Sequence, residues 1–331
     1  MVNFYDVTLR DGNHALRHTL SPEIVAKYCS LASNSNLWAI EIGHGNGLGA
    51  SSYLVGKSRH SDYALLEAAR NNLPEFGPKL AVHAIPGFAT IQRDIIPAIE
   101  LGVEVFRIAT HVSEANTSNR HIDYLANKNV IVHGVLMMSH MIDLRGLIEQ
   151  IKLMESYGAS AVILMDSAGH FLPADVEIRL QAIKQETDVK MGFHAHNNLG
   201  VAISNAGAAI EFGAEIVDGA SMGLGAGAGN AQLENIIATR KLIGENVILD
   251  PYISMSLFIE NCFPEYLPRA TSSSTQSGLA GVFSGYAPQV KEISSELGLD
   301  VNLLWTELGK RKLVAGQESL IREIAQDLMN L

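Results

Sequence analysis

Short apolar runs alternate with longer amphipathic stretches from residue 2 to about residue 245. The runs are Val2–Val7, Leu37–Ile42, Leu80–Ala84, Val105–Thr110, Val130–Leu136, Ala161–Met165, Lys190–His194 and Glu215–Asp218. Between them lie stretches that read as helices, among them Pro22–Leu31, Tyr63–Ala69, Ile91–Leu101, Leu144–Tyr157, Asp175–Gln185, Leu199–Phe212 and Leu233–Leu242. Many of the runs are Val/Ile-rich without strict alternation, as strands covered on both faces should be. Eight strands, each followed by a helix, match the count and usual size of a closed (β/α)8 barrel. A doubly wound open sheet is the structural alternative. The pattern therefore predicts an α/β fold, a TIM barrel spanning residues 1–264.

After about residue 250 the character changes. Ser272–Gly278 forms a polar, breaker-rich stretch, and Pro288–Leu297, Val301–Leu308 and Ser319–Leu328 beyond it read as short helices. Residues 265–331 are expected to form a small helical domain at one end of the barrel.

Composition narrows the functional classes. Hydrophobic residues make up 47% and charged residues 18%, enough for a large core. A net charge of −11 argues against nucleic acid or an anionic membrane as the main partner. Cys29 and Cys262 are the two cysteines, giving neither a disulfide framework nor a thiolate metal site. The expectation is a reducing, cytoplasmic setting. Met1–Asp6 lacks the basic and apolar regions of a signal peptide, and no apolar run reaches the roughly 18–20 residues that span a bilayer.

The chemistry concentrates at the predicted strand ends, where barrel active sites form. Asp11 follows the first strand, and His194 and His196 end the seventh. Two His at i, i+2 on a strand point the same way. Strands one and seven lie two apart around the ring, so all three side chains can converge over the barrel mouth. Three such ligands leave coordination positions open for substrate, as a catalytic metal requires. The donor set suits Mn2+, Mg2+, Co2+ or Zn2+, and two imidazoles make Mn2+ the first choice. Arg10 is placed to stabilise an enolate oxygen or hold a carboxylate, and pairing with an acid such as Glu41 is compatible with that role, since the carboxylate could fix the guanidinium in place. His14, in the same loop, is a candidate general base, and His18 is a loop hydrogen-bonder or a weaker candidate. Ser167, after strand six, could bind a carboxylate, and Asp166 could orient a ligand His. The glycine-rich Gly223–Asn230 loop after strand eight reads either as an anion site or as a tight turn.

Together, Asp6-Val7-Thr8-Leu9-Arg10-Asp11-Gly12 and His194-Ala195-His196-Asn197-Asn198 resemble the metal-dependent aldolase and synthase superfamily of TIM barrels. Within it the chain is most similar to the 4-hydroxy-2-oxovalerate aldolase family. That closer likeness is carried by Glu41–Leu48, Ala109-Thr110-His111, Leu136–Met141, Met154–Ala159, Gly223–Glu234 and Ala315-Gly316-Gln317-Glu318. The resemblance implies a divalent metal on Asp11, His194 and His196 that chelates a 2-oxoacid. It implies an enolate-stabilising role for Arg10, a base role for His14 at the 4-hydroxyl, and a carboxylate contact from Ser167. The products would be pyruvate, or a close 2-oxoacid, and an aldehyde. It also implies an acylating aldehyde dehydrogenase partner docked on the C-terminal domain, hence a homo- or hetero-oligomer.

Two departures bear on the aldehyde side. Phe283 stands where the family has Tyr, with Tyr286 three residues on to replace it in part if the segment is helical. His83 stands where the family carries an apolar residue before Pro86-Gly87, either adding a polar group to the pocket or sitting as a hydrogen-bonded core histidine. Two other readings compete with the aldolase. One is a Claisen-type acyl-CoA synthase or lyase on the same barrel, although Cys262 lacks the setting of a catalytic cysteine. The other is a non-catalytic barrel kept as a binding subunit.

Overall fold

The computed structural model describes residues 2–313, 317 and 319–329. Within the Ala315–Glu318 segment singled out above, Ala315, Gly316 and Glu318 lie outside the described residues. Eight parallel strands close into a barrel in sequence order. They are β1 (Asn3–Asp6), β2 (Ala39–Glu41), β3 (Lys79–Ala84), β4 (Val105–His111), β5 (Ile131–Met137), β6 (Ala161–Asp166), β7 (Lys190–Ala195) and β8 (Ile216–Gly219). β8 returns to β1 with Tyr5 opposite Asp218, so the sheet has no free edge. The doubly wound alternative is thereby excluded.

Apolar packing forms two shells. Strand residues such as Ile40, Leu80, Phe106, Leu164 and Phe193 pack outward against the helices. Inside the barrel, Val105, Val135, Ile163 and Ile216 share the space with Ala39, Ala81, Ala109 and Ala161. Those small side chains leave room for polar ones uncommon in a barrel core, Arg107 and Glu41 among them, both fully buried.

Two expectations need correction, and one helix is added to them. The Ile91–Leu101 stretch is not one α-helix but a π turn, Ile91–Ile95, followed by an α-helix, Ile96–Glu100. Pro97 has no N–H to donate to the preceding turn, which favours such a break. The breaker-rich Ser272–Gly278 stretch is helical, Ser272–Ala280. Its Ser and Thr act as caps: Ser274 N donates to Thr271 Oγ1 at 3.1 Å and Thr271 N donates to Ser274 Oγ at 2.8 Å. A further helix, Asp250–Cys262, was not foreseen and packs on helix Pro22–Ala32.

Val282, Tyr286, Val290, Leu304, Trp305, Leu308, Ile321 and Ile324 form a separate apolar cluster among the C-terminal helices. Helix Ser272–Ala280 joins this cluster to the barrel mouth. Asn198, after β7, donates to Ser277 Oγ at 2.8 Å, and His170, after β6, bonds Gly278 O at 2.7 Å. His140, after β5, bonds Gly281 O at 3.0 Å. Among the described residues no helix is long and apolar enough to cross a membrane.

Candidate metal centre and active site

The loop after β1 is pinned before it delivers any reactive group. Asp6 accepts from Thr8 N at 2.8 Å and from Tyr28 OH at 2.7 Å, while Ser221 N donates to Thr8 Oγ1 at 2.8 Å. The chain then turns, with Asp11 N bonded to Val7 O, into the single helical turn Gly12–Ala15. Arg10, Asp11 and His14 thus project from a short, braced segment over the barrel mouth.

Asp11, His194 and His196 each present a ligand atom, and these atoms lie within 4.8 Å of one another, all buried. The two imidazoles are held by their far nitrogens. His194 Nδ1 bonds Asp218 Oδ2 at 2.8 Å, and His196 Nδ1 donates to the backbone carbonyl of Asp166 at 3.0 Å. With the proton on Nδ1 in both rings, each Nε2 carries its lone pair toward the centre. His194 Nε2 is buried without a hydrogen-bond partner, and His196 Nε2 sits 3.5 Å from Asp11 Oδ2. An orphaned imidazole nitrogen, a second aimed at the same point and a carboxylate form a donor set that a divalent cation would complete.

The electrostatics favour positive charge there. Burial raises the pKa of Asp11, but Arg10 and His196 outweigh it and hold the carboxyl well below the usual range. Burial lowers the pKa of His196, yet Asp11 leaves it raised. Asn230 Nδ2 donates to Asp11 Oδ2 at 2.6 Å, fixing the carboxylate from the loop after β8. A side chain at Gly225 would collide with that amide, with a Cβ 2.2 Å from Asn230 Nδ2. The N–H groups of Gly223, Leu224, Gly229 and Asn230 are engaged by carbonyls of the same segment. The loop presents Asn230 to Asp11.

Arg10 Nε donates to Glu41 Oε1 at 2.5 Å and Nη1 to Asp11 Oδ1 at 3.0 Å, while Nη2 is buried without a partner. The Glu41 pairing expected from the sequence is present, and it leaves one edge of the guanidinium for another acceptor. His14 Nε2 lies 4.0 Å from Asp11 Oδ1, and its ring occupies the space a side chain at Gly45 would need. Burial pushes His14 down to about 4, so the imidazole is neutral near pH 7. His18, buried with a positive φ of 59°, stands edge-on to His14 and stacks on His44 at 3.7 Å.

Ser167 Oγ accepts from Met138 N at 3.0 Å, leaving its hydroxyl proton to donate. Asp166 uses its side chain on His170 N and Phe171 N, so it is its main-chain carbonyl that reaches His196. His83 is buried with Nδ1 unpartnered, and burial beside Arg10 pushes it down to about 3. The turn Ser284–Tyr286 reaches the β8 loop, since a side chain on Gly227 would meet Ser284 Oγ. Phe283 packs edge-to-face with Tyr286, which is buried in the C-terminal cluster.

Sequence reasoning missed Asp218, Arg107 and Asn230. Arg107 donates to Asp218 through both terminal nitrogens at 2.7 Å each. A lone arginine inside the apolar run of β4, and an aspartate closing β8 beside the histidine strand, were the available signals.

Comparison with known proteins gives matches over nearly the whole chain. Residues 1–255 match the HMGL-like family, and residues 268–330 match the DmpG-like communication domain. A 4-hydroxy-2-oxovalerate aldolase of Spirochaeta aurantia is 48% identical over 325 residues, covering 98% of this chain and 95% of the relative. One from Pectobacterium atrosepticum is 45% identical over 325 residues, covering 98% and 94%. Among solved structures, the carboxyl transferase domain of Rhizobium etli pyruvate carboxylase superposes with a TM-score of 0.82 at 17% identity, covering 99% of this chain and 60% of that one, a likeness of fold.

Proposed function

Because the chain belongs to the HMGL-like family and, within it, to the 4-hydroxy-2-oxovalerate aldolases, we propose that it is a divalent-metal aldolase. It would reversibly cleave a 4-hydroxy-2-oxoacid to pyruvate, or a close 2-oxoacid, and an aldehyde. The observation that carries this reading is the convergence of Asp11, His194 and His196 around an unpartnered imidazole nitrogen. The near-full-length likeness to aldolases disfavours the Claisen-type alternative.

Asp11, His194 and His196 would hold the metal, with Mn2+ the first choice over Mg2+, Co2+ or Zn2+. When bound, such an ion supplies a Lewis acid that draws electrons toward the 2-oxo group. The chain's own residues do the rest. Neutral His14 takes the proton from the 4-hydroxyl. The electrons of the C3–C4 bond then flow toward C2 as that bond breaks. The 4-hydroxyl carbon leaves as an aldehyde carbonyl. Arg10, anchored by Glu41, stabilises the negative charge on the enolate oxygen, and protonation at C3 yields pyruvate. Ser167 orients the carboxylate. His83, Phe283 and Tyr286 shape the aldehyde side.

Residues 1–264 would be the catalytic unit, and 265–331 the surface on which an acylating aldehyde dehydrogenase docks. The match of residues 268–330 to a communication domain supports that partner. The test is exchange of pyruvate methyl protons with deuterium, followed by NMR after Mn2+ is removed, alongside cleavage of 4-hydroxy-2-oxovalerate. Exchange that needs metal and disappears in His194→Ala is the expected result. Metal-replete wild-type protein that neither exchanges pyruvate nor cleaves any 4-hydroxy-2-oxoacid would overturn the reading.

A further inference from the structure

We propose that Arg107 is a positioning residue that aligns both halves of the site at once, the metal ligand His194 through Asp218 and the guanidinium of Arg10 through Glu41. This rests on the aldolase reading above. Arg107 lies in β4, fully buried, with its guanidinium 3.7 Å over the Tyr5 ring. Its two terminal nitrogens grip the two oxygens of Asp218. Asp218 Oδ2 in turn bonds His194 Nδ1 at 2.8 Å. On the other side, Arg107 Nη1 stands 3.6 Å from Glu41 Oε2, and Glu41 Oε1 accepts from Arg10 Nε at 2.5 Å. Tyr5 OH donates to the Glu41 oxygen that faces Arg107, at 3.0 Å. The chain His194–Asp218–Arg107–Glu41–Arg10 is thus continuous across the barrel interior.

Stability does not account for this arrangement. A barrel interior is ordinarily filled by branched apolar side chains, and buried ion pairs are often matched or bettered by apolar replacements. Geometry does account for it. A bidentate guanidinium fixes the plane of the Asp218 carboxylate, and that plane sets the direction and tautomer of His194. The same cation gives Glu41 a second positive neighbour, so the carboxylate is held between two guanidinium groups and keeps Arg10 at a set height. Lysine could not serve equally, because a point charge cannot bond both Asp218 oxygens in one plane.

The experiment compares wild type with Arg107→Met and Arg107→Lys. The readouts are Mn2+ affinity of the metal-free protein by calorimetry, pyruvate methyl exchange at saturating Mn2+, and circular dichroism. For Arg107→Met the proposal expects a Kd for Mn2+ raised about 10–100-fold. It also expects at least about a tenfold slower exchange once metal is saturating, because Glu41, which anchors Arg10, has lost its second cationic neighbour and no longer holds Arg10 at a set height. Arg107→Lys should recover part of the metal affinity. Folded Arg107→Met with wild-type metal affinity, or with wild-type exchange at saturating metal, overturns the proposal. If Arg107→Met does not fold, the cycle of Asp218→Asn, Glu41→Gln and their double variant decides. Non-additive effects on exchange support coupling through Arg107, and additive effects overturn it. Wild-type protein that bound none of Mn2+, Mg2+, Co2+ and Zn2+ would sink the aldolase reading, and this inference with it.

Discussion

At the scale of single residues, the site works by what each neighbour denies or permits. Asp218 and the Asp166 carbonyl occupy the outer nitrogens of His194 and His196, which turns the inner nitrogens toward the proposed metal. His194→Ala should therefore abolish Mn2+ binding and pyruvate exchange together, as read by calorimetry and NMR. Arg10→Ala should keep the metal but lower turnover by about 10^2–10^3, since it removes a group aimed at developing charge. Near-normal turnover in that variant would rule out the enolate role. A different residue sets a pH dependence of stability. Burial pushes Glu234, whose carboxyl accepts from Met222 N, up to about 7. The folded state then binds that proton more tightly than the unfolded chain does. Its contribution is complete below about pH 4.5 and lost as pH rises through about 7. Glu234→Gln should equal wild type in urea unfolding at pH 4.5 and exceed it by about 1–3 kcal/mol at pH 8.

At the scale of elements, the barrel's strand ends and the helix lying across them share one set of polar contacts. Helix Ser272–Ala280 is short and serine-rich, with little intrinsic drive to form. Its capping box and its bonds to Asn198 and His170 supply what its composition lacks. Thr271→Ala should cost about 1 kcal/mol and speed hydrogen exchange at Ser274–Gly278 before it affects the strands. Uniform exchange across the chain would show that this helix does not open by itself. The following turn carries Phe283. Phe283→Tyr should change aldehyde preference or stereochemistry more than it changes pyruvate exchange. An unaltered product profile would remove this position from the aldehyde side.

At the scale of the whole molecule, closure of eight strands brings Asp11 and His196 together across 185 residues of chain. A metal held by Asp11, His194 and His196 would act as a clamp on a long loop. Mn2+ at about one hundred times its Kd should stabilise the native state by about 2.7 kcal/mol, provided the unfolded chain does not bind it. Thermal unfolding should shift upward in wild type and stay put in His194→Ala. A metal-induced shift of equal size in both would place the ion elsewhere.

The sequence by itself determined the barrel and singled out the three residues of its candidate metal site. Period and apolar runs located all eight strands within about two residues, because a strand covered on both faces must be apolar almost throughout. Asp11, His194 and His196 stood out because strand ends carry chemistry in this fold. Only the tertiary structure decided what lies behind those ligands. Asp218 and Arg107 are 111 residues apart, and their pairing depends on facing inward across a closed ring, which local pattern does not encode. The helix at Ser272–Ala280 was hidden for a related reason. Serine and glycine favour loops locally, and it takes the surface offered by the barrel mouth to reverse that preference.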